Sequence, residues 1–306
     1  MREARARQVG DRGSGAPIRL RKSLGQHLLR RPGAARRIVE ALDPVPGESV
    51  LEIGPGLGAL TRVLLEQGLR VVAVERDPRL ADELERRHGA GGSLEVCRGD
   101  ILEVRLEDVC HRVGARRLKV IGNIPYRITS PILHWLLDQA SHLVVAVLTV
   151  QQEVGERVLA RPGGSNYGSL TLAVERKAEA QKILTLPPQA FRPAPRVASM
   201  VLRLVPRRAP AVRVPDEDFL ERLIRLGFSQ RRKMLRTSLL SRVPWSAREL
   251  GAAAAAAEVS LTRRPQELSL EEFGRLSSAL WTVCAREPGE APGEAPAAAR
   301  ARRGER

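Results

Sequence analysis

Two short stretches of this 306-residue chain carry side chains whose types and spacing can do chemistry. In VLEIGPGLGALT, residues 50–61, Gly54, Gly56 and Gly58 let a chain leaving a strand turn sharply and approach a ligand closely before a helix begins. Glu75 follows about 20 residues later, where a carboxylate can accept from ribose hydroxyls. Asp100, in VCRGDIL, stands just past a third candidate strand, where a carboxylate can receive the amino group of an adenine ring. Singly, each acid is also an ordinary helix N-cap or loop end, and Glu52 reads as an acid paired with nearby backbone amides. With Ala59 the glycine loop also satisfies the G-x-G-x-x-A dinucleotide form, so a nicotinamide-dependent dehydrogenase is a competing reading.

The second stretch is IGNIPYRITSPIL, residues 121–133. Its Asn123-Ile124-Pro125-Tyr126 resembles the (N/D)-(I/L/P)-P-(Y/F) motif of enzymes that methylate exocyclic amino groups of nucleobases. Adenine N6 is a poor nucleophile, because its lone pair is delocalised into the ring. The side-chain oxygen of Asn123 and the carbonyl of Ile124 can accept its two N–H bonds and aim the lone pair at a methyl carbon. Pro125 fixes φ and stiffens the turn that presents these acceptors. Tyr126 can stack on the base, an interaction worth about 1–3 kcal/mol. The alkylated nitrogen is strongly acidic, so no dedicated base is required. A plain Asn/Pro turn with Tyr126 in the core is the alternative reading of the same residues.

The elements that must position these residues alternate between apolar runs and helical patterns. Strands are expected at Ser49–Ile53, Arg70–Val74, Leu94–Cys97, Leu118–Ile121, Leu143–Val150, Lys182–Leu186 and Ser199–Val205, with helices at Leu60–Gln67, Pro78–His88 and Pro131–Leu137. This alternation implies a mainly parallel α/β sheet covered on both faces. After Pro206–Pro210 the pattern turns helical, at Phe219–Phe228, Arg231–Leu240, Ala252–Ala257 and Leu270–Ala285. The expected division is a disordered basic extension at 1–20, a catalytic domain at 21–208, a helical domain at 209–285 and a disordered tail at 286–306.

Charge is distributed unevenly. Residues 1–40 carry eleven Lys/Arg against three acids, and residues 190–245 thirteen against four, whereas the stretch between them is close to neutral. Two basic blocks around a neutral body suit a catalytic unit with two arms for a polyanion. Free use of Arg without function would produce some of the same excess. No run of about 18 apolar residues offers a membrane span. Cys97, Cys110 and Cys284 lack metal-ligand or disulfide spacing, so no metal site is expected and a reducing cytoplasm fits. An Arg-rich opening also occurs in organelle-targeting peptides, but Glu3, Asp11 and a single serine count against that.

Taken together these pieces resemble the ribosomal RNA adenine dimethyltransferases, specifically the bacterial small-subunit branch. KSLGQHLL (22–29), LEIGPGLGALT (51–61), VERD (74–77), GDIL (99–102), GNIPYRITSPIL (122–133), QQEVGERVLARPGGSNYGSL (151–170), FRPAPRVASMVLRL (191–204) and FSQRRKMLRTSL (228–239) carry the resemblance over residues 20–285. It implies a Rossmann-like seven-stranded methyltransferase sheet with a small all-α C-terminal domain, and S-adenosyl-L-methionine as cofactor. It also implies dimethylation of two adjacent adenines in the 3′-terminal hairpin of 16S rRNA, within a small-subunit ribosomal particle. Cofactor contacts carry over to His27, Leu29, Gly54, Gly56, Glu75, Asp100 and Asn123, and Phe191 becomes a second aromatic that sandwiches the base against Tyr126, with a core phenylalanine next to prolines as the other reading of that residue. The family usually has Asn at the position of His27 and Phe at that of Leu28. Enzymes of the macrolide-resistance type, acting on 23S rRNA, and non-catalytic nucleic-acid-binding factors on the same scaffold are the alternatives.

RNA is expected on Arg231, Arg232, Lys233 and Arg236, read as the start of a helix with Arg232 and Arg236 as i, i+4 neighbours. Arg19, Arg21 and Lys22 add cations from the N-terminal arm. If about six cations neutralise phosphates, log K falls with log salt at a slope of roughly −4 to −5. A monomer in the cytoplasm, with no membrane contact, is the expected state.

Overall fold

The computed structural model describes residues 27–241 and 245–284. The basic arm with Arg19, Arg21 and Lys22, and the tail from residue 286, lie outside them. The chain enters through β1 (Leu28–Leu29) and α1 (Pro32–Glu40), then alternates through β2 (Ser49–Ile53), α2 (Ala59–Glu66), β3 (Arg70–Glu75), α3 (Pro78–His88), β4 (Leu94–Arg98), α4 (Leu106–Val113), β5 (Leu118–Asn123), α5 (Thr129–Asp138) and β6 (Leu143–Gln151). Helices α6 (Gln152–Val158) and α7 (Ser169–Lys177) lead to β7 (Ala178–Leu186), β8 (Phe191–Arg192) and β9 (Ser199–Pro206). The chain closes with α8 (Glu217–Gly227), α9 (Leu235–Leu240), α10 (Ala247–Ala256) and α11 (Leu270–Cys284).

Seven strands form one sheet in the order β4-β3-β2-β5-β6-β9-β7. The first five are parallel, and β9 runs antiparallel to both β6 and β7. Alternate side chains bury on opposite faces, as the two-residue period of a strand requires. Leu51, Ile53, Val120 and Leu148 join one core cluster, and Val50, Val71, Ile121 and Val147 the other. Both faces are therefore apolar, which explains why β6 reads as the nearly continuous run LVVAVLTVQ.

The chain passes from β2 outward to β3 and β4, then returns to place β5 on the other side of β2. A crevice opens outside the carboxyl ends of strands at such a reversal. Asp77 shapes its rim by accepting from Arg79 N at 3.2 Å as the N-cap of α3, with Pro78 in the first helical position. At the end of β5, Gly122 permits a close approach: a Cβ there would stand 2.8 Å from the carbonyl oxygen of Ile53.

The expected strands and helices around the crevice are all present, but the helix expected at Arg231–Leu240 begins only at Leu235. Residues 231–234 form a turn, closed by Lys233 N donating to Gln230 O at 2.9 Å. Leu235 N and Arg236 N donate to the carbonyls of Arg263 and Leu261, and these long-range bonds fix where α9 starts. Arg232 and Arg236 are consequently not neighbours on one helix face.

A third core cluster unites α8 to α11 around Leu220, Leu235, Leu250, Phe273 and Leu276. It also takes in Tyr167 and Leu172 from the α6–α7 region. Arg176 of α7 is 4% exposed and reaches Glu217 O at 3.0 Å and Glu217 Oε2 at 3.2 Å, so the helical region is bolted to the sheet region by a buried cation. Among the described residues no helix is long and apolar enough to cross a membrane.

Candidate active site

The crevice holds a cavity of about 380 Å³, lined by the loop after β2, the ends of β3, β4 and β5, the turn at 124–128 and the entering chain at His27 and Leu28. It brings together His27, Gly54, Gly56, Glu75, Asp100, Asn123, Ile124, Pro125 and Tyr126.

Gly54 has φ +61°, a conformation that L side chains rarely adopt, and a Cβ there would meet no atom within 4 Å. The backbone is thus bare toward open space, which is a cradle for a ligand rather than a packing glycine. Glu75 is 5% exposed and has both oxygens engaged: Oε2 accepts from Gly56 N at 3.1 Å and Oε1 from Asp77 N at 2.9 Å. Burial pushes its carboxyl above the ordinary carboxylate range, and these backbone donors pull it back. A carboxylate offers about four lone-pair sites, so capacity remains for a ribose diol. Asp100 accepts from Leu102 N at 3.1 Å through Oδ1, while Oδ2 pairs with Arg76 Nη1 at 3.1 Å. The N-cap reading of Asp100 and a ligand-binding reading are therefore compatible, once Arg76 yields.

Behind the glycine loop lies Glu52, 1% exposed, with Oε2 accepting from Thr61 Oγ1 at 2.6 Å. Desolvation raises its pKa from 4.5 to about 7; the Thr61 bond opposes the shift and the charge of Glu75 adds to it. Its partners are the Thr61 side chain, which was not expected, and the Thr61 backbone amide, which was.

The Asn123–Tyr126 turn is held from three sides. Ile124 N donates to Thr149 O at 3.0 Å, anchoring the turn to β6, and the Ile124 side chain is 1% exposed in the core. Pro125 has φ −58°, and Ile128 N and Thr129 Oγ1 donate to the carbonyls of Pro125 and Tyr126 at 3.1 and 3.2 Å. The Tyr126 hydroxyl is 2.6 Å from Ser199 Oγ on β9. Burial pushes the phenol up, so it stays neutral. Asn123 Nδ2 donates to the carbonyl of His27 at 2.5 Å, and the His27 ring stacks on Tyr126 with centroids 5.2 Å apart and planes at 28°.

Three expected site residues lie elsewhere. Phe191 is 3% exposed and packs in the core opposite Leu29, the two pairing across β1 and β8. It does not line the cavity; the ring beside Tyr126 is His27. Leu29 is itself 8% exposed within that core, and its neighbour Leu28 lines the cavity. Arg231 is committed to protein carbonyls, with Nη2 donating to Ser165 O at 2.8 Å and Tyr167 O at 2.7 Å. Arg232, Lys233 and Arg236 remain exposed. Ser199 and Thr149 were missed by sequence reasoning. They reach the turn only through strand pairing, and no local spacing signals that.

A Rossmann-like sheet that brings a bare glycine at 54, two carboxylates and an Asn-Ile-Pro-Tyr turn to one cavity defines an S-adenosyl-L-methionine-dependent methyltransferase. The model of the family described as ribosomal RNA adenine dimethylase matches residues 18–278, and the chain belongs to that family. It is 39% identical over 270 residues to ribosomal RNA small subunit methyltransferase A of Geobacter metallireducens, covering 88% of this chain and 98% of that protein. To the protein of the same name from Desulfitobacterium hafniense it is 40% identical over 259 residues, covering 85% and 91%. Among solved structures, a dimethyladenosine transferase from Plasmodium falciparum superposes with a TM-score of 0.68 at 27% identity, covering 82% of this chain and 96% of that one. The 23S rRNA methyltransferase ErmE superposes with a TM-score of 0.63 at 28% identity, covering 83% and 99%. The chain is thus a ribosomal RNA adenine dimethyltransferase dependent on S-adenosyl-L-methionine.

Proposed function

We propose that this enzyme dimethylates N6 of two adjacent adenines in the 3′-terminal hairpin loop of 16S rRNA, acting on a small-subunit particle as a cytoplasmic monomer. The observation that carries the site assignment is that the acceptor turn at 123–126 and the two carboxylates Glu75 and Asp100 open into one cavity. In this reading residues 21–208 form the catalytic domain and 209–285 the RNA-holding domain, with Tyr167 and Leu172 lent to the helical core.

Gly54 presents bare backbone to the cofactor while Gly56 packs closely against Leu28 and donates to Glu75, Glu75 accepts from the ribose, and Asp100 exchanges Arg76 for the adenine amine. When bound, the cofactor supplies an electrophilic methyl group on a sulfonium. The target adenine leaves its stack and lies against Tyr126. Asn123 Oδ1 and the Ile124 carbonyl accept the two N6–H bonds, holding the nitrogen lone pair toward the methyl carbon. The methylated nitrogen sheds a proton to water and is presented again for the second transfer.

Specificity for the small subunit is supported by the 39–40% identity to small-subunit relatives, against 28% to the 23S enzyme. The complete Asn123–Tyr126 turn and the open cradle favour catalysis over a binding-only role. Radiolabelled S-adenosyl-L-methionine, incubated with small and large subunits from a strain lacking adenine dimethylation, tests the reading. Label in the 3′-terminal adenines of 16S rRNA is expected, and label on 23S rRNA would move the protein to the other branch.

A further inference from the structure

We propose that His27 is a positioning residue for the target-base site, acting through Asn123 with its carbonyl and through Tyr126 with its ring. The inference rests on the base-site reading above and adds to it the residue that sets the site's geometry.

Asn123 has an amide with two different ends, and only one of them can face the His27 carbonyl. A carbonyl oxygen accepts and cannot donate, so the 2.5 Å contact fixes Nδ2 toward His27 and turns Oδ1 away from it. Asn123 Oδ1 is the end that the chemistry needs, since N6–H requires an acceptor. A rotated amide would present two donors to the amino group and repel it. The main chain at residue 27 therefore selects the productive face of Asn123.

The ring does a second job. Tyr126 is held at its hydroxyl by Ser199, but a single bond at the tip leaves the ring free to swing about it. The imidazole, stacked 5.2 Å away at 28°, covers a face of the ring and limits that motion. His27 is itself anchored, because Nδ1 lies 2.7 Å from the carbonyl oxygen of Pro193 and must carry the hydrogen of that bond. Pro193 directly follows β8, whose Phe191 and Arg192 pair with Leu29 and Leu28. The strap formed by β1 and β8 thus holds His27 on two sides, through its ladder-paired neighbour Leu28 and through its own imidazole. Because His27 and Leu28 also line the cofactor cavity, the same strap adjoins both substrates.

The ring contribution is separable from the carbonyl, which every substitution retains. His27→Ala should lower kcat/KM for under-methylated small subunits about tenfold, the scale of one weakened base stack. Its thermal midpoint should stay within a few degrees of the parent's, which reports that the variant is folded, and because His27 also lines the cofactor cavity any loss of S-adenosylhomocysteine affinity should be smaller than the loss in kcat/KM. His27→Phe, which keeps an aromatic face, should recover most of the loss; His27→Asn, which keeps a donor toward Pro193 but no ring, should not. Since the ring acts through Tyr126, the His27→Ala/Tyr126→Ala double variant should be no worse than Tyr126→Ala alone. Losses that multiply, or a His27→Asn variant with wild-type kcat/KM, would overturn the proposal. If Tyr126→Ala alone keeps wild-type turnover, the base-site reading falls and takes the inference with it. If Tyr126→Ala is impaired and the His27 variants are not, only the inference fails.

Discussion

The hydroxyl of Tyr126 lies 2.6 Å from Ser199 Oγ, joining the acceptor turn after β5 to a strand 73 residues away in sequence. Ser199 is fully buried and pairs with Gln151 across β6 and β9, so its hydroxyl has a fixed position. The position of the phenol tip is therefore set by sheet packing, and the tilt of the ring by the stacked His27 imidazole.

Removing that hydroxyl should act on RNA and spare the cofactor. Ser199→Ala leaves a half-buried phenol without its partner, a loss of about 1–3 kcal/mol when unsatisfied. The expected outcome is a several-fold rise in KM for small subunits, with unchanged calorimetric affinity for S-adenosylhomocysteine. Equal losses in both would show that Ser199 serves the fold alone.

Glu52 should impose a pH dependence on stability. Its folded-state pKa is raised from 4.5 to about 7, so between these values the folded protein binds the proton that the unfolded chain has released. The stabilising contribution is complete below pH 4.5, declines as pH rises to about 7, and is lost above that. The whole effect amounts to about 3 kcal/mol. Glu52→Gln should match the parent near pH 4 and exceed it at pH 8 in denaturant midpoint. Parallel pH curves for the two proteins would remove Glu52 as the cause.

Gly122 should tolerate no side chain. An added Cβ meets the Ile53 carbonyl at 2.8 Å, and that oxygen belongs to the neighbouring strand and cannot move alone. Gly122→Ala should cost about 1–3 kcal/mol, read from thermal or denaturant unfolding. It should also weaken S-adenosylhomocysteine binding, because β2 and β5 flank the crevice. Wild-type stability would mean that the strands separate freely.

The cations of the 231–236 segment should divide by role. Arg231 holds the carbonyls of Ser165 and Tyr167, so Arg231→Ala should lower stability. Reversing Arg232, Lys233 and Arg236 should leave stability nearly unchanged and reduce the salt slope of RNA binding by about 2–3. An unchanged slope would place the phosphates elsewhere.

Much of this architecture is written locally. The strands from Ser49 to Gln151 are apolar runs bounded by turns; β2 has its expected bounds, and β3 to β6 run one or two residues past theirs. Gly54, Glu75, Asp100 and Asn123 are found at the ends of β2 to β5 because parallel strands deliver their carboxyl ends to one edge. Contacts made across long separations were not legible. The two-residue strands β1 and β8 are too short to show a period, so the strap could not be read, whereas a core place for Phe191 beside its prolines is the alternative reading of that residue. Helix α9 starts where carbonyls of residues 261 and 263 accept its first amides, which the RRKML pattern does not encode. Helices α1, α4, α6 and α7 are short, from seven to nine residues, and went unassigned.

If Asn123 Oδ1 holds the adenine amine during methyl transfer, single-turnover transfer by Asn123→Ala must show it. With under-methylated small subunits and saturating S-adenosyl-L-methionine, transfer should fall by about a hundredfold or more, the scale of losing one preorganised polar contact in the transition state. S-adenosylhomocysteine affinity, measured on the same preparation, should remain within about threefold, an intact cavity by the linkage of binding to the folded state. Transfer at the wild-type rate would mean that the amine is held by other groups.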